Sequence, residues 1–267
     1  MLNINKRLSF LIIVICFFAM VTPVSAYDST AYSWYCIRNK ENKQPKVGDN
    51  LNFVEKFNGY YIDHKHDDNN QEKVVYLTFD AGYENGNIEK ILDVMKDENI
   101  CGSFFILGNL IKSNGDLVNR MANEGHTVAN HTYSHKDITK LSISELENEL
   151  SSLNSAYRAC TGKEMSPYFR PPEGKFSETT LTWAQEFGYK TVFWSFAYAD
   201  WDNQKQMSPQ AAKEKILSNI HNGAILLLHP TSQTNATILK DIICELKAKN
   251  YEFKTLDDLF SQQEQLY

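Results

Sequence analysis

Lys73-Val-Val-Tyr-Leu-Thr-Phe-Asp-Ala-Gly-Tyr-Glu-Asn-Gly86 is the stretch that decides the fold. Val74 to Phe79 is a β-branched and aromatic run of strand length, too short for a helix. It ends in Asp80, after which Gly82 and Gly86 supply turn chemistry and a helical pattern begins at Ile88. An acid at a strand end, beside permissive glycines, is where α/β enzymes place catalytic groups. Taken alone, Asp80 reads more readily as a turn cap. The rest of the chain changes that balance.

Downstream the same unit recurs. Ile88, Ile91, Leu92 and Met95 fall at helical spacing, and Gly102 to Leu107 is a second strand. A short helix is expected around Asp116 to Glu124, stopped by Gly125, followed by a strand from Thr127 to His131. Ser142 with Glu145 reads as a capping box opening a helix that Gly162 closes. Tyr168 to Arg170 is a brief strand ended by Pro171-Pro172, and Ser177 caps a helix running to Phe187. Thr191 to Phe196 is a strand, Ser208-Pro209 starts a helix, and Ala224 to His229 is a buried strand. A helix near Thr237 to Lys249 precedes Tyr251 to Leu256. Strand–helix alternation repeated six or seven times argues a parallel sheet or barrel. No GxGxxG follows the first strand, so a dinucleotide-binding fold is not expected.

The 267 residues are ample for one sizeable core, and a net charge of -6 argues against a nucleic-acid partner. Lys6 and Arg7 precede an apolar run from Leu8 to Val21, with Val24-Ser25-Ala26 fit for cleavage. Residues 1–26 therefore read as a signal peptide, an uncleaved anchor being the alternative, and the protein is expected outside the cytoplasm. Residues 27–72 are rich in scattered aromatics and read as an extension packing on a main domain of residues 73–260. His64-Lys65-His66-Asp67-Asp68 has metal-ligating residue types but reads as a solvated loop. Cys36, Cys101, Cys160 and Cys244 form no CxxC pair; Cys101 and Cys244 are expected as buried free thiols, a disulfide remaining open.

The residues at or just past the strand ends are Asp80, His131 with His135, Arg170, Asp200 and His229. In a (β/α) barrel those ends share one face, so residues distant in sequence converge. His131 and His135 have a spacing that suits two imidazoles on one divalent ion. Asp200 is set among aromatics, and His229 ends the most apolar run of the chain after its first 26 residues. Arg170, stiffened by two prolines, can orient a carboxylate through paired donors. Tyr83, Trp201 and Lys175 are the candidate substrate contacts. Lys175 alone supplies a cation, following the stiff Arg170-Pro-Pro segment.

Together Thr78-Phe-Asp-Ala-Gly82, His131-Thr-Tyr-Ser-His135, Arg170-Pro-Pro-Glu-Gly174, Asp200-Trp201 and Leu226-Leu-Leu-His229 resemble the five ordered motifs of the NodB-homology polysaccharide deacetylases. The resemblance covers about Val74 to Leu259. Phe79-Asp-Ala-Gly-Tyr-Glu-Asn-Gly86 and Thr191-Val-Phe-Trp-Ser195 further resemble the sporulation branch that makes muramic δ-lactam in spore cortex, as does Trp34 to Gly48. The resemblance implies a distorted (β/α) barrel, with Asp80 as general base and His131 and His135 as ligands of a divalent metal, zinc first. It also implies His229 as general acid, tuned by Asp200, and Arg170 positioning Asp80. Most of the family has a second Asp after the base as third metal ligand; here it is Ala81, which weakens the expected metal site. Glu173 stands where many relatives carry an aromatic residue. The implied activity is de-N-acetylation of muramic acid in a peptidoglycan glycan strand, by a monomer acting after a muramoyl amidase. An N-acetylglucosamine deacetylase of peptidoglycan or chitin-like glycan is the near alternative, and a non-catalytic glycan binder the distant one.

Overall fold

Side-chain alternation along one strand sorts this molecule into an outer and an inner layer. The computed structural model describes residues 27–38 and 41–264; the expected signal peptide lies outside them. In β5 (Lys73–Ala81), Val75, Leu77 and Phe79 join an apolar cluster with helix residues such as Ile91, Leu92 and Ile242. Val74 and Tyr76 point the other way, into a cluster with Phe105, Ala129, Tyr168, Val192 and Ile225. The first cluster lies between sheet and helices, and the second fills the interior of a curled sheet. Thr78 and Asp80 share the inward parity.

The sheet joins β5 to β6 (Ser103–Ile106), β7 (Thr127–Asn130), β8 (Tyr168–Phe169) and β10 (Lys190–Val192) on one side and β11 (Ala224–Leu228) on the other, every pair parallel. β12 (Tyr251–Lys254) pairs with the first half of β5. Beyond Val192 the chain crosses to β11: Phe196 bridges Leu226, and the Leu227 N–H donates to Phe196 O at 2.9 Å. That contact curls the sheet round on itself, giving the distorted (β/α) barrel that the alternation predicts. Its base is plugged by α7 (Leu256–Glu264), whose Phe260 lies 4.8 Å from the Tyr168 ring.

Helices α1 (Ile88–Asp97), α2 (Gly108–Asn123), α3 (Ile143–Thr161), α4 (Glu178–Glu186), α5 (Pro209–Leu217) and α6 (Gln233–Ala248) surround the strands. The Ser142/Glu145 capping box forms, and Gly162 ends α3 at φ +70°, as expected. α2 starts well before the expected Asp116. The non-helical Asn114 (φ -142°) and the weak helix formers Gly108, Asn109 and Gly115 hide its first turns from periodicity.

Residues 27–72 do more than pack on the barrel. Their β4 (Gly59–Tyr60) is a barrel strand, parallel to β10. β1 (Tyr32–Ser33) pairs antiparallel with β9 (Lys175–Phe176), and β2 (Cys36–Ile37) pairs with β3 (Lys46–Val47). Trp34 stacks on Phe193 at 4.5 Å and donates its indole N–H to Trp194 O at 2.8 Å. The expected solvated loop at His64–Asp68 needs correction at His66, which is buried. Its Nδ1 lies 2.6 Å from the Asp63 carboxylate, which also accepts from the Tyr76 hydroxyl at 2.6 Å. The reason is that this run crosses the barrel base, where Tyr76 fills the interior. The four cysteines of the described residues are free, but neither thiol expected as buried is so: Cys101 is half-buried and Cys244 is exposed. No helix among the described residues is long and apolar enough to cross a membrane.

Trp34→Ala is expected to lower stability by about 3–5 kcal/mol in chemical denaturation, the usual cost of emptying a large aromatic site. Trp194, which Trp34 supports, lines the cleft described next, so catalytic efficiency should fall in the fraction that stays folded.

Candidate active site

The inward parity of four strands brings four of the candidate residues to one end of the barrel. Asp80, His131, Arg170 and His229 continue the interior rows that begin at Tyr76, Ala129, Tyr168 and Ile225. Asp80, His131 and His229 open onto a cleft of about 730 Å³ whose walls include Leu107, Trp194, Tyr198 and Leu227, while Arg170 is buried behind Asp80.

Arg170 is fully buried, and each of its nitrogens has a partner. Nη1 donates to Asp80 Oδ1 at 2.8 Å, Nε to Val192 O at 2.9 Å and Nη2 to Phe193 O at 3.0 Å. Its guanidinium carbon lies 4.0 Å above the Phe105 ring centre. The strand expected from Thr191 to Phe196 pairs only to Val192, and the Val192 and Phe193 carbonyls turn to the arginine. Burial would raise the Asp80 carboxyl, but His131, Arg170 and His229 outweigh it and hold it below the usual carboxylate range.

His131 and His135 lie on a tight loop, not a helical turn. Thr132 (φ +70°) and His135 (φ +59°) adopt a left-handed backbone that costs on the order of 1–3 kcal/mol per residue. Side chains hold it there: Asn130 Oδ1 accepts from Thr132 N at 2.9 Å, and Thr132 Oγ1 from His135 N at 3.0 Å. The buried Glu149 carboxylate accepts from Ser134 N at 2.8 Å and from Ser134 Oγ at 2.5 Å. Sequence reading missed Glu149, although an acid on the apolar face of α3, between Leu146 and Leu150, was the available signal. His131 Nδ1 donates to Arg170 O at 2.8 Å, which leaves the Nε2 lone pair facing Asp80 Oδ2 at 3.5 Å. Burial pushes the His131 imidazole down to about 4.

His229 Nδ1 lies 2.7 Å from Asp200 Oδ1, and its backbone N–H donates to Asp200 Oδ2 at 2.8 Å. Asn235 Nδ2 donates to the same Oδ2 at 2.6 Å, and the Tyr198 hydroxyl donates to Asn235 Oδ1. Neither Asn235 nor Tyr198 was legible: one hides among helix-cap polar residues, the other in an aromatic run. Burial lowers the His229 imidazole, but the Asp200 bond and the charges of Asp200 and Asp80 raise it above its ordinary value.

The candidate substrate contacts divide. Tyr83 and Trp201 line the cleft as exposed rings, Trp201 with its centre 6.2 Å from that of His229, and the Tyr83 hydroxyl accepts from Asn203 at 3.0 Å. Glu173, at φ +57°, and Gly174 line it also. The Lys175 ammonium lies instead 2.6 Å from Glu173 and 3.7 Å from Asp137.

The family pattern described as polysaccharide deacetylase matches residues 67–192. A peptidoglycan-N-acetylmuramic acid deacetylase of Bacillus subtilis is 40% identical over 240 residues, 90% of this chain and 89% of that protein. The chain belongs to the polysaccharide deacetylase family. A peptidoglycan-N-acetylglucosamine deacetylase of Bacillus cereus is 36% identical over 70% of this chain and 68% of its own length. Among solved structures, the Bacillus subtilis enzyme, a family 4 carbohydrate esterase, superposes with TM-score 0.83 at 39% identity. That match covers 88% of this chain and 99% of that one. A family 4 pseudoenzyme from Bacillus anthracis matches with TM-score 0.68 at 27% identity, over 75% of this chain and 68% of that one.

Polysaccharide deacetylases of this family are in general metalloenzymes that hydrolyse an N-acetyl amide. In this deacetylase the residues fit a divalent ion in part. A lone pair of His131 facing an ionised carboxylate is unfavourable without a cation beside both, and the Nδ1 bond to a carbonyl is the usual support of a ligating imidazole. The His135 ring centre stands 5.0 Å from that of His131. Ala81 is fully buried and supplies no ligand, and among the described residues no three His, Cys, Asp or Glu side chains form a ready set.

Dialysis against a strong chelator should leave the fold intact by circular dichroism, and His135→Ala should weaken zinc binding in calorimetry, since the ion would be held by few protein groups. The raised His229 value keeps its proton above the ordinary imidazole range, so activity should fall only at a pH beyond that range. Asp200→Asn removes the Asp200 bond and charge that raise it, leaving the Asp80 charge alone against the burial that lowers it. The alkaline limb of kcat/KM against pH should then move to lower pH, with a loss on the order of 10²-fold or more.

Proposed function

We propose that this protein is an exported peptidoglycan de-N-acetylase that acts on muramic acid residues whose stem peptide has been removed. The observation that carries this reading is the extension. The likeness to the muramic acid deacetylase is longer than the stretch from residue 67 onward, so it includes part of residues 27–66, which supply β4 and the Trp34 support of the cleft wall. The likeness to the Bacillus cereus N-acetylglucosamine enzyme spans only 70% of the chain.

The chemistry follows from two held pairs. Asp80 Oδ1 is fixed by Arg170, while Oδ2 is free to take a proton from the attacking water. Its low pKa keeps it ionised as a general base. The water oxygen bonds to the acetyl carbon, the C–N bond breaks, and His229 Nε2–H gives its proton to the departing amine. Asp200 holds the other ring nitrogen and stabilises the imidazolium that acts as acid. His131 and His135 would hold a divalent ion, zinc first, which when bound supplies polarisation of the acetyl carbonyl and a lowered pKa for water. The product carries a free amine that can condense with the lactyl carboxyl, with loss of water, to the muramic δ-lactam of spore cortex. The protein would then act as a monomer on the glycan strand, after a muramoyl amidase has exposed that carboxyl. The apolar segment after Lys6 and Arg7 supports export.

One observation favours the N-acetylglucosamine reading: among the described residues, no Lys or Arg lines the cleft. The muramic reading answers it with Lys175. A lactyl carboxylate reaches that ammonium by displacing Glu173, and an exposed pair of this kind is worth only about 0–1 kcal/mol. Against a non-catalytic role stand both intact pairs, Asp80 with Arg170 and His229 with Asp200, which glycan binding alone does not need.

Acetate release with product mass analysis tests the reading. Peptide-stripped glycan should be deacetylated at muramic acid, intact peptidoglycan and chitin oligomers should not, and Asp80→Asn should lose on the order of 10²–10⁴ in rate. Equal rates on chitin oligomers would replace the muramic assignment by the glucosamine one. Lys175→Met should raise KM for the free-lactyl substrate while stability stays unchanged; an unaltered KM removes only the lysine from the account.

A further inference from the structure

Tyr133 sits between His131 and His135, yet the bonds that shape the loop run through Asn130, Thr132, Ser134 and Glu149. Its side chain is 40% exposed, and no hydrogen bond or ring contact of that side chain occurs among the described residues. A single exposed ring would be ordinary. What sets this one apart is how it is seated. The Gly108 N–H donates to Tyr133 O at 3.0 Å, and a Cβ at position 108 would fall 2.6 Å from two carbons of the ring. The ring therefore lies directly on bare backbone at the first residue of α2, and only the missing side chain at 108 lets it lie there. Glycine is a weak helix former, so helix propensity does not by itself account for Gly108.

The location is equally specific. Leu107, just before Gly108, and His131 and His135, on either side of Tyr133, all line the cleft. The ring is thus held at the rim beside the candidate metal loop. Trp201, beside His229, stands across the mouth, since β5 and β6 lie between β7 and β11 in the sheet. A ring backed by rigid backbone, with its other side in solvent, loses little freedom when a flat apolar surface settles on it.

We propose that Tyr133 is a stacking platform for the apolar face of a pyranose ring next to the one being deacetylated, so that the glycan strand runs from the Trp201 side of the mouth to the Tyr133 side. This deepens the glycan-deacetylase reading and rests on it, but not on the muramic assignment. The occupant is a neighbouring sugar of the same strand, because the platform adjoins Leu107, His131 and His135, which line the cleft, and is not itself part of the cleft wall.

The test is binding as a function of chain length. Peptide-free peptidoglycan oligosaccharides, from a disaccharide upward, are titrated by calorimetry into protein carrying Asp80→Asn to prevent turnover. The parent protein should gain affinity on going beyond the disaccharide. Tyr133→Ala should lose that gain, by roughly 3- to 10-fold, the scale of one aromatic stacking contact. Tyr133→Phe should keep it, since the face and not the hydroxyl is used. Gly108→Ala, whose methyl pushes the ring off its seat, should lose it with the fold intact. Unchanged length dependence in Tyr133→Ala overturns the proposal, as does an equal loss for the disaccharide, which marks a prop for the loop. Length-dependent binding that Tyr133→Ala abolishes, with no acetate released from any glycan by the wild type, keeps the platform and sinks the deacetylase reading instead.

Discussion

The buried guanidinium of Arg170 is the constraint around which this end of the barrel is arranged. A full positive charge without contact with water is costly unless paired and hydrogen-bonded, and here each of the three nitrogens has an acceptor and the partners come from three separate places. Asp80 closes one side, the Val192 and Phe193 carbonyls another, and the Phe105 ring lies beneath. Removing one partner of such a pair typically costs about 3–5 kcal/mol, because it strands the other. The same residue's own carbonyl receives His131 Nδ1, so base and imidazole are aligned by one residue through its two ends. β10 stops early for the same reason: its last carbonyls serve the arginine.

Much of this was legible because a barrel obeys parity. Val74, Tyr76, Thr78 and Asp80 alternate inward, and a polar residue continuing an apolar inward row has no packing reason to be there. Asp80, Arg170, His131 and His229 all announce themselves in that way. Glu149, Asn235 and Tyr198 do not, since they act through other residues and sit in helices or aromatic runs where their type is unremarkable. His66 was misread for a related reason. Its polar neighbours describe the loop, while its burial is decided by Tyr76, a residue of a different strand. Lys175 is legible as a candidate cation, but its pairing with Glu173 and Asp137 accompanies a left-handed Glu173 that local sequence does not advertise.

The extension shows how tertiary context sets a boundary that composition alone puts elsewhere. Residues 27–72 differ in texture from the barrel, yet β4 is one of its strands and Trp34 holds the backbone of Trp194. A cut at residue 72 would separate pieces that share one core.

The plug at the barrel base carries a kinetic meaning. Tyr60 of β4 and Phe260 of α7 meet at 4.7 Å, although they belong to opposite ends of the described chain. Contacts so far apart in sequence form late and slowly, because a long loop must close before they return any stability. The seal at the barrel base is thus expected among the last contacts to form, after the neighbouring strands have paired.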